Sequence, residues 1–88
     1  MTVNFYGRIK EYTKGDKSYI PNNKNYSTLR ELLEELNDVY GNDFNVFIHS
    51  NESCIFLING KGIMLPGGLD TKIVSNDKID IIPFIDAG

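Results

Sequence analysis

The apolar positions of this chain change period as it is followed from its first residue. In "TVNFYGRI", Val3, Phe5 and Ile9 share a parity with Gly7, and Asn4, Tyr6 and Arg8 take the other. This alternation predicts a half-buried strand over residues 2–9. "KEYTKGDK" reads as a turn with Gly15-Asp16 at its tip, and "SYI" as a second strand stopped by Pro21, so the chain opens on a predicted hairpin. After the loop-like "PNNKNYS" the period becomes helical, with Leu29, Leu32, Leu33, Leu36 and Tyr40 on one stripe. Thr28 and Glu31 have the spacing of a capping box, and Gly41 is a natural helix stop. The stripe is expected to lie on a sheet, while Glu31, Glu34, Glu35 and Asp38 fall largely away from it as solvated surface.

"NDFNVFIHSNES" has no clear period. It is expected as a long loop over residues 42–53, with Val46 to Ile48 briefly extended and His49 exposed. "CIFLI" is a continuous apolar strand that begins on Cys54, a small core residue, and Asn59-Gly60 predicts a hairpin turn returning through "GIML". In "PGGLDTK" the pair Gly67-Gly68 reads as a turn, because phosphate binding needs a glycine-lined turn that feeds a helix. "IVSNDKIDIIPFI" supplies a turn and a last strand. The order is β-β-α-β-β-β. One helix covers one face of a sheet, so the expected class is α+β, a mixed sheet with one main helix across one face.

At 88 residues the chain is one domain, which buries roughly 60–65% of its unfolded surface. A 41% hydrophobic and 24% charged composition argues against disorder. No run of about 18 apolar residues predicts a membrane helix, and "MTVNFYGRIK" does not read as a secretion leader. The "NES" at residues 51–53 is then a chance glycosylation pattern, and the lone Cys54 fits a reducing cytoplasm. A net charge of −3 argues against nucleic-acid binding and favours steering toward a basic partner surface. His49 has no second histidine or cysteine near it, so no metal site is predicted.

From Ile58 onward the residues resemble a known family. Asn59-Gly60, Thr71 and Ile73, then Ile79, Ile81, Ile82 and Pro83 are similar to the C-terminal half of the MoaD/ThiS group of ubiquitin-like sulfur carriers, with the MoaD branch the nearer. That group runs through Asn-Gly and Thr-x-Leu-x-Asp-Gly-Asp-x-Val to Ile-Phe-Pro, a short tail and Gly-Gly. Here Ser75-Asn76-Asp77 stand where Asp-Gly-Asp is usual. The thiazole branch fits less well, since its chains are typically shorter. The resemblance implies a ubiquitin-like β-grasp domain over residues 1–83 and a flexible C-terminal tail over residues 84–88.

The resemblance further implies that the Gly88 carboxylate is adenylylated by an E1-like adenylyltransferase and converted to a thiocarboxylate. It would then give sulfur to a pterin precursor on the large subunit of a molybdopterin synthase. The ATP would belong to the partner and the chain would carry no cofactor, which accounts for a sequence without a nucleophile–base pair. Asp86 and Ala87 would complete the tail. Ala87 departs from the usual Gly-Gly, and three readings stay open: the partner tolerates alanine, the natural end lies one glycine further, or this chain has left sulfur transfer. Two other functions remain, a modifier joined to lysines and a non-covalent binding module. In the last strand Ile82 and Phe84 have the parity opposite to Ile79 and Ile81, and they form a candidate docking patch unless the 42–53 loop covers them.

Overall fold

The structure, a computed structural model, describes residues 1–21, 27–50, 54–65 and 67–83. Among these, β1 (Thr2–Phe5), β2 (Ser18–Tyr19), β3 (Cys54–Ile58), β4 (Lys61–Ile63) and β5 (Lys78–Pro83) form one sheet in the order β2-β1-β5-β3-β4. β5 is central. It runs parallel to β1, with Val3 beside Ile79 and Phe5 beside Ile81, and antiparallel to β3, where Phe56 faces Ile81 and Ile58 faces Ile79. The two flanking pairs are antiparallel, as the predicted hairpins require. This is the expected α+β arrangement.

α1 (Leu29–Tyr40) buries its whole stripe: Leu29, Leu32, Leu33, Leu36 and Tyr40 all enter one core with Val3, Phe5, Phe56, Ile79 and Ile81. Its capping box is formed. The Glu31 N–H donates to Thr28 Oγ1 at 3.4 Å, and the Thr28 N–H donates to Glu31 Oε1 at 3.1 Å. Glu35 is less free than the sequence reading had it, because the Tyr19 hydroxyl donates to its Oε2. The Tyr40 hydroxyl likewise donates to Asp16 Oδ2 at 2.8 Å.

Two segments differ from expectation. Residues 42–49 form a second helix, α2 (Asn42–His49), in place of a loop with a brief extension at Val46 to Ile48. Phe44 and Ile48 are one turn apart and buried, with the Phe44 ring 5.5 Å from Tyr40 and 6.1 Å from Phe5. Two buried side chains in eight residues leave too short a stripe to stand out, and tertiary packing supplies the helix. Gly41, at φ +96°, ends α1 and admits the next helix at once. His49 is exposed, but it closes α2.

The first strand stops at Phe5, and residues 7–12 form a 3₁₀ helix. Gly7 sits at φ +60°, which breaks the pleat and turns the chain. Ile9 is buried all the same, through the helical turn and not through strand parity. The first hairpin turn falls at residues 13–15, beside the expected tip.

The entrance to β5 is clasped to the β3–β4 turn. Asn59 Nδ2 donates to Asp77 Oδ1 at 2.7 Å, and Asp77 Oδ2 accepts the Val74 N–H at 2.8 Å. The Lys78 N–H donates to Asn59 Oδ1 at 2.9 Å, and the Asn59 N–H to the Lys78 carbonyl at 2.8 Å. Asp77, where the resembled family also carries an acid, is a buried tie. Cys54 is core as expected, with burial pushing its thiol up to about 11 from 9.0. Gly68 lies in a short 3₁₀ turn (Gly67–Asp70), where a Cβ would come 1.9 Å from Ile63 Cγ2; nothing lies within 4 Å of one at Gly67.

Gly68→Ala should therefore lower the unfolding free energy by about 1–3 kcal/mol through overpacking. Gly67→Ala should stay within about 0.5 kcal/mol, with both read from urea melts. A second prediction concerns base. Burial, with the hydrogen bond to Glu35, holds the Tyr19 phenol up at about 12, against an ordinary 10.0. The protonated phenol therefore favours the folded state. That contribution is complete below pH 10 and is lost as pH rises through about 12. Tyr19→Phe should flatten the alkaline fall in stability over that window, as followed by circular dichroism.

Candidate functional site: the open sheet face and the end of the central strand

Among the described residues, the sheet has one face covered by helices and one open face. Val3, Phe5, Cys54, Phe56, Ile58, Ile79 and Ile81 point toward the helices and are buried. The alternate positions make the other face: Asn4 on β1, Asp80 and Ile82 on β5, Ile55 and Leu57 on β3, and Gly62 on β4. Ile55 faces Ile82, and Leu57 lies between Asp80 and Gly62. A Cβ on Gly62 would meet Ile55 Cδ1 at 3.3 Å and Leu57 Cδ2 at 3.9 Å, so these two side chains lie over the glycine. Ile55, Leu57 and Ile82 are half-buried and form the apolar half of this face.

The other half is polar. Asp80, only 7% exposed, stands at the boundary. Its Oδ1 accepts from Asn4 Nδ2 at 2.9 Å and from the Tyr6 hydroxyl at 3.4 Å, and Lys78 Nζ lies 3.8 Å from its Oδ2. Asn4 and Tyr6 reach Asp80 only through strand register, since Asn4 and Asp80 are 76 residues apart, while Lys78 lies two residues before Asp80 on the same strand. Sequence reading missed them for that reason. The one signal was the polar parity of Asn4 and Tyr6.

Of the residues singled out for docking, Ile82 lies on the open face. The segment expected to compete for covering it does not do so through α2, whose Phe44 and Ile48 pack into the core on the opposite side. Phe84, Asp86, Ala87 and Gly88 lie outside the described residues.

The point from which the tail departs is defined. The Tyr6 N–H donates to the Ile81 carbonyl at 3.1 Å. β1 ends at Phe5 and Gly7 opens the 3₁₀ turn, so the β1–β5 ladder stops at Ile81 and no β1 residue pairs with Pro83. Cys54 of β3 faces Pro83 on the other side. A Cβ on Gly7 would lie 3.0 Å from Pro83 Cγ, so the two residues are in close apposition. Proline also brings no N–H with which to extend a ladder. β5 thus ends between a glycine turn and the start of β3, and Ile82 lies beside that end.

Elsewhere, a cavity of about 380 Å³ opens on the helix side, lined by Arg30, Glu34, Asn37, Asp38, His49 and Leu69 among others. Among the described residues no group of three His, Cys, Asp or Glu side chains could hold a metal ion.

The model of the ThiS family matches residues 3–88. A chain of the Amycolatopsis orientalis BexX/CysO complex superposes with TM-score 0.77 at 18% identity, over 99% of this chain and 98% of that one. CysO of Mycobacterium tuberculosis, described as an antigen, gives 0.74 at 22% identity over 96% and 98%. Small archaeal modifier protein 1 from Methanosarcina acetivorans gives 0.74 at 23% identity over 99% and 94%. No curated protein sequence matches. The shared architecture is the ubiquitin-like β-grasp.

The geometry at the strand end predicts a difference between two glycines. Gly7 and Gly15 both hold positive φ, at +60° and +84°, but only Gly7 has a neighbour against it. Gly7→Ala should lower stability by about 1 kcal/mol more than Gly15→Ala in urea melts. Its amide shift changes should reach Ile81 and Ile82.

Proposed function

This chain belongs to the ThiS family of ubiquitin-like sulfur carriers, and on that premise we propose that the C-terminal carboxylate of Gly88 is its working group. The observation that carries the reading is the family match itself, which runs through residue 88 and so includes the tail. The β-grasp domain of residues 1–83 serves as the handle, and residues 84–88 serve as the tail that carries the carboxylate.

In this reading a carboxylate oxygen of Gly88 attacks the α-phosphorus of ATP held by an E1-like adenylyltransferase. Pyrophosphate leaves and an acyl-adenylate forms. Sulfide (HS⁻), released by a sulfur donor, then attacks the carbonyl carbon, AMP departs, and a thiocarboxylate remains. The carrier needs no nucleophile–base pair because its partner supplies the catalytic groups. A tail that threads a narrow channel must be slender, which suits Gly88 and, less well, Ala87 beside Asp86. Ile82 and Phe84 would dock the partner, with Ile55 and Leu57 extending the apolar surface.

The recipient we propose is the large subunit of a molybdopterin synthase-type complex, with the sulfur passing to a pterin precursor in the cytoplasm. Among the described residues no helix is long and apolar enough to cross a membrane. A second reading is favoured by the likeness to small archaeal modifier protein 1: the same activated carboxylate would join a lysine amine.

The test is ATP–pyrophosphate exchange with the adenylyltransferase encoded in the same genome. Deleting Gly88 should abolish exchange, because the carboxylate withdraws by roughly 3.5 Å. Ala87→Gly should match or exceed wild type. Exchange seen only after one glycine is added beyond Gly88 would place the natural end one residue further. Four equally inert tails would overturn the carrier reading.

A further inference from the structure

The open face holds a buried carboxylate, Asp80, at the border of its apolar half. Asp80 lies in the central strand between Asn4 and Leu57, at a position where an apolar side chain would continue the surface of Leu57 and Ile82. Burying a charge is unfavourable unless partners compensate it. Here Oδ1 has two neutral donors, Asn4 Nδ2 and the Tyr6 hydroxyl. Oδ2 has the Lys78 ammonium at 3.8 Å, longer than a hydrogen bond, and that lysine is 62% exposed. One oxygen is thus fixed by two hydrogen bonds and the other held only by an ion pair with an exposed lysine, at the edge of an apolar patch that leads to the end of β5.

We infer that Asp80 is the specificity-determining anchor of the open face, accepting an arginine side chain from the adenylyltransferase while Ile55, Leu57 and Ile82 pack against apolar residues around it. Charge complementarity selects the occupant. The protein carries a net −3, the anchor is anionic, and guanidinium is the cation more weakly hydrated and so better suited to a partly dry interface. Continuity selects the site: an enzyme that holds the tail beyond Pro83 lies against the end of β5, two residues from Ile81 and three from Asp80. Asn4 and Tyr6 are positioning residues, which fix Oδ1 and so aim Oδ2. Lys78 is the internal competitor that the arginine displaces.

This inference rests on the carrier reading, and the experiment separates the two. KM and kcat for ATP–pyrophosphate exchange are measured with the adenylyltransferase encoded in the same genome, alongside melting temperatures. Asp80→Asn keeps the acceptor for Asn4 and Tyr6 but loses the charge. It should raise KM at least about tenfold and leave kcat within about twofold. Lys78→Gln, on an exposed side chain, should lower KM by about twofold or more, because the competitor is gone. Lys72→Gln, which changes net charge equally at another exposed site, should leave KM near wild type. An Asp80→Asn KM within about twofold of wild type overturns the inference while the carrier reading stands. So does a Lys78→Gln KM that rises, since a merely structural ion pair would behave that way. If Asp80→Asn melts early, the Lys78→Gln result decides. A wild-type chain inert in exchange removes the carrier reading and this inference with it.

Discussion

The structure depends on one strand being gripped from both sides. β5 comes last in the described chain yet sits at the centre, with β1 parallel on one flank and β3 antiparallel on the other. Its register is fixed by the clasp in which Asp77 and Lys78 bind the Asn59 side chain. A slip of one residue would exchange the two faces of the strand. Ile79 and Ile81 would turn to the open side, and Asp80 would enter the core. Core and open face are therefore set by the same few hydrogen bonds.

That arrangement explains which parts were legible in the sequence. The capped leucine helix, the Asn-Gly hairpin and the alternating last strand are local patterns, and each falls where the periodicity places it. α2 was not legible, because Phe44 packs against Phe5, 39 residues earlier in the chain, as well as against Tyr40, and no local window contains Phe5. The 3₁₀ turn after Phe5 was hidden by Ile9, whose burial satisfies strand parity and helical packing equally. At the site, Ile82 could be assigned to the open face by counting along one strand. The Asn4–Tyr6–Asp80 group could not, since it exists only once the two ends of the chain pair in register. The tail could be recognised by its resemblance and by nothing in its physical pattern.

Small glycines and polar ties do much of the positioning. Gly7 ends β1 and lets the chain pass close against Pro83, Gly62 lets Ile55 and Leu57 lie over the edge strand, and Gly68 brings its turn onto Ile63. Each is a place where a methyl group would move something. The open face and the strand end are thus shaped by the absence of side chains as much as by their presence.

The parallel placement of β1 beside β5 has a mechanical meaning. A pull applied beyond Pro83 along the axis of β5 meets ladders to β1 and β3 on both flanks. Ladder hydrogen bonds lie largely across the strand direction, so an axial load strains many of them together and does not peel them one at a time. A pull at the tail is then resisted by the whole width of the sheet's centre, and the domain can be hauled by its end without being unravelled from it.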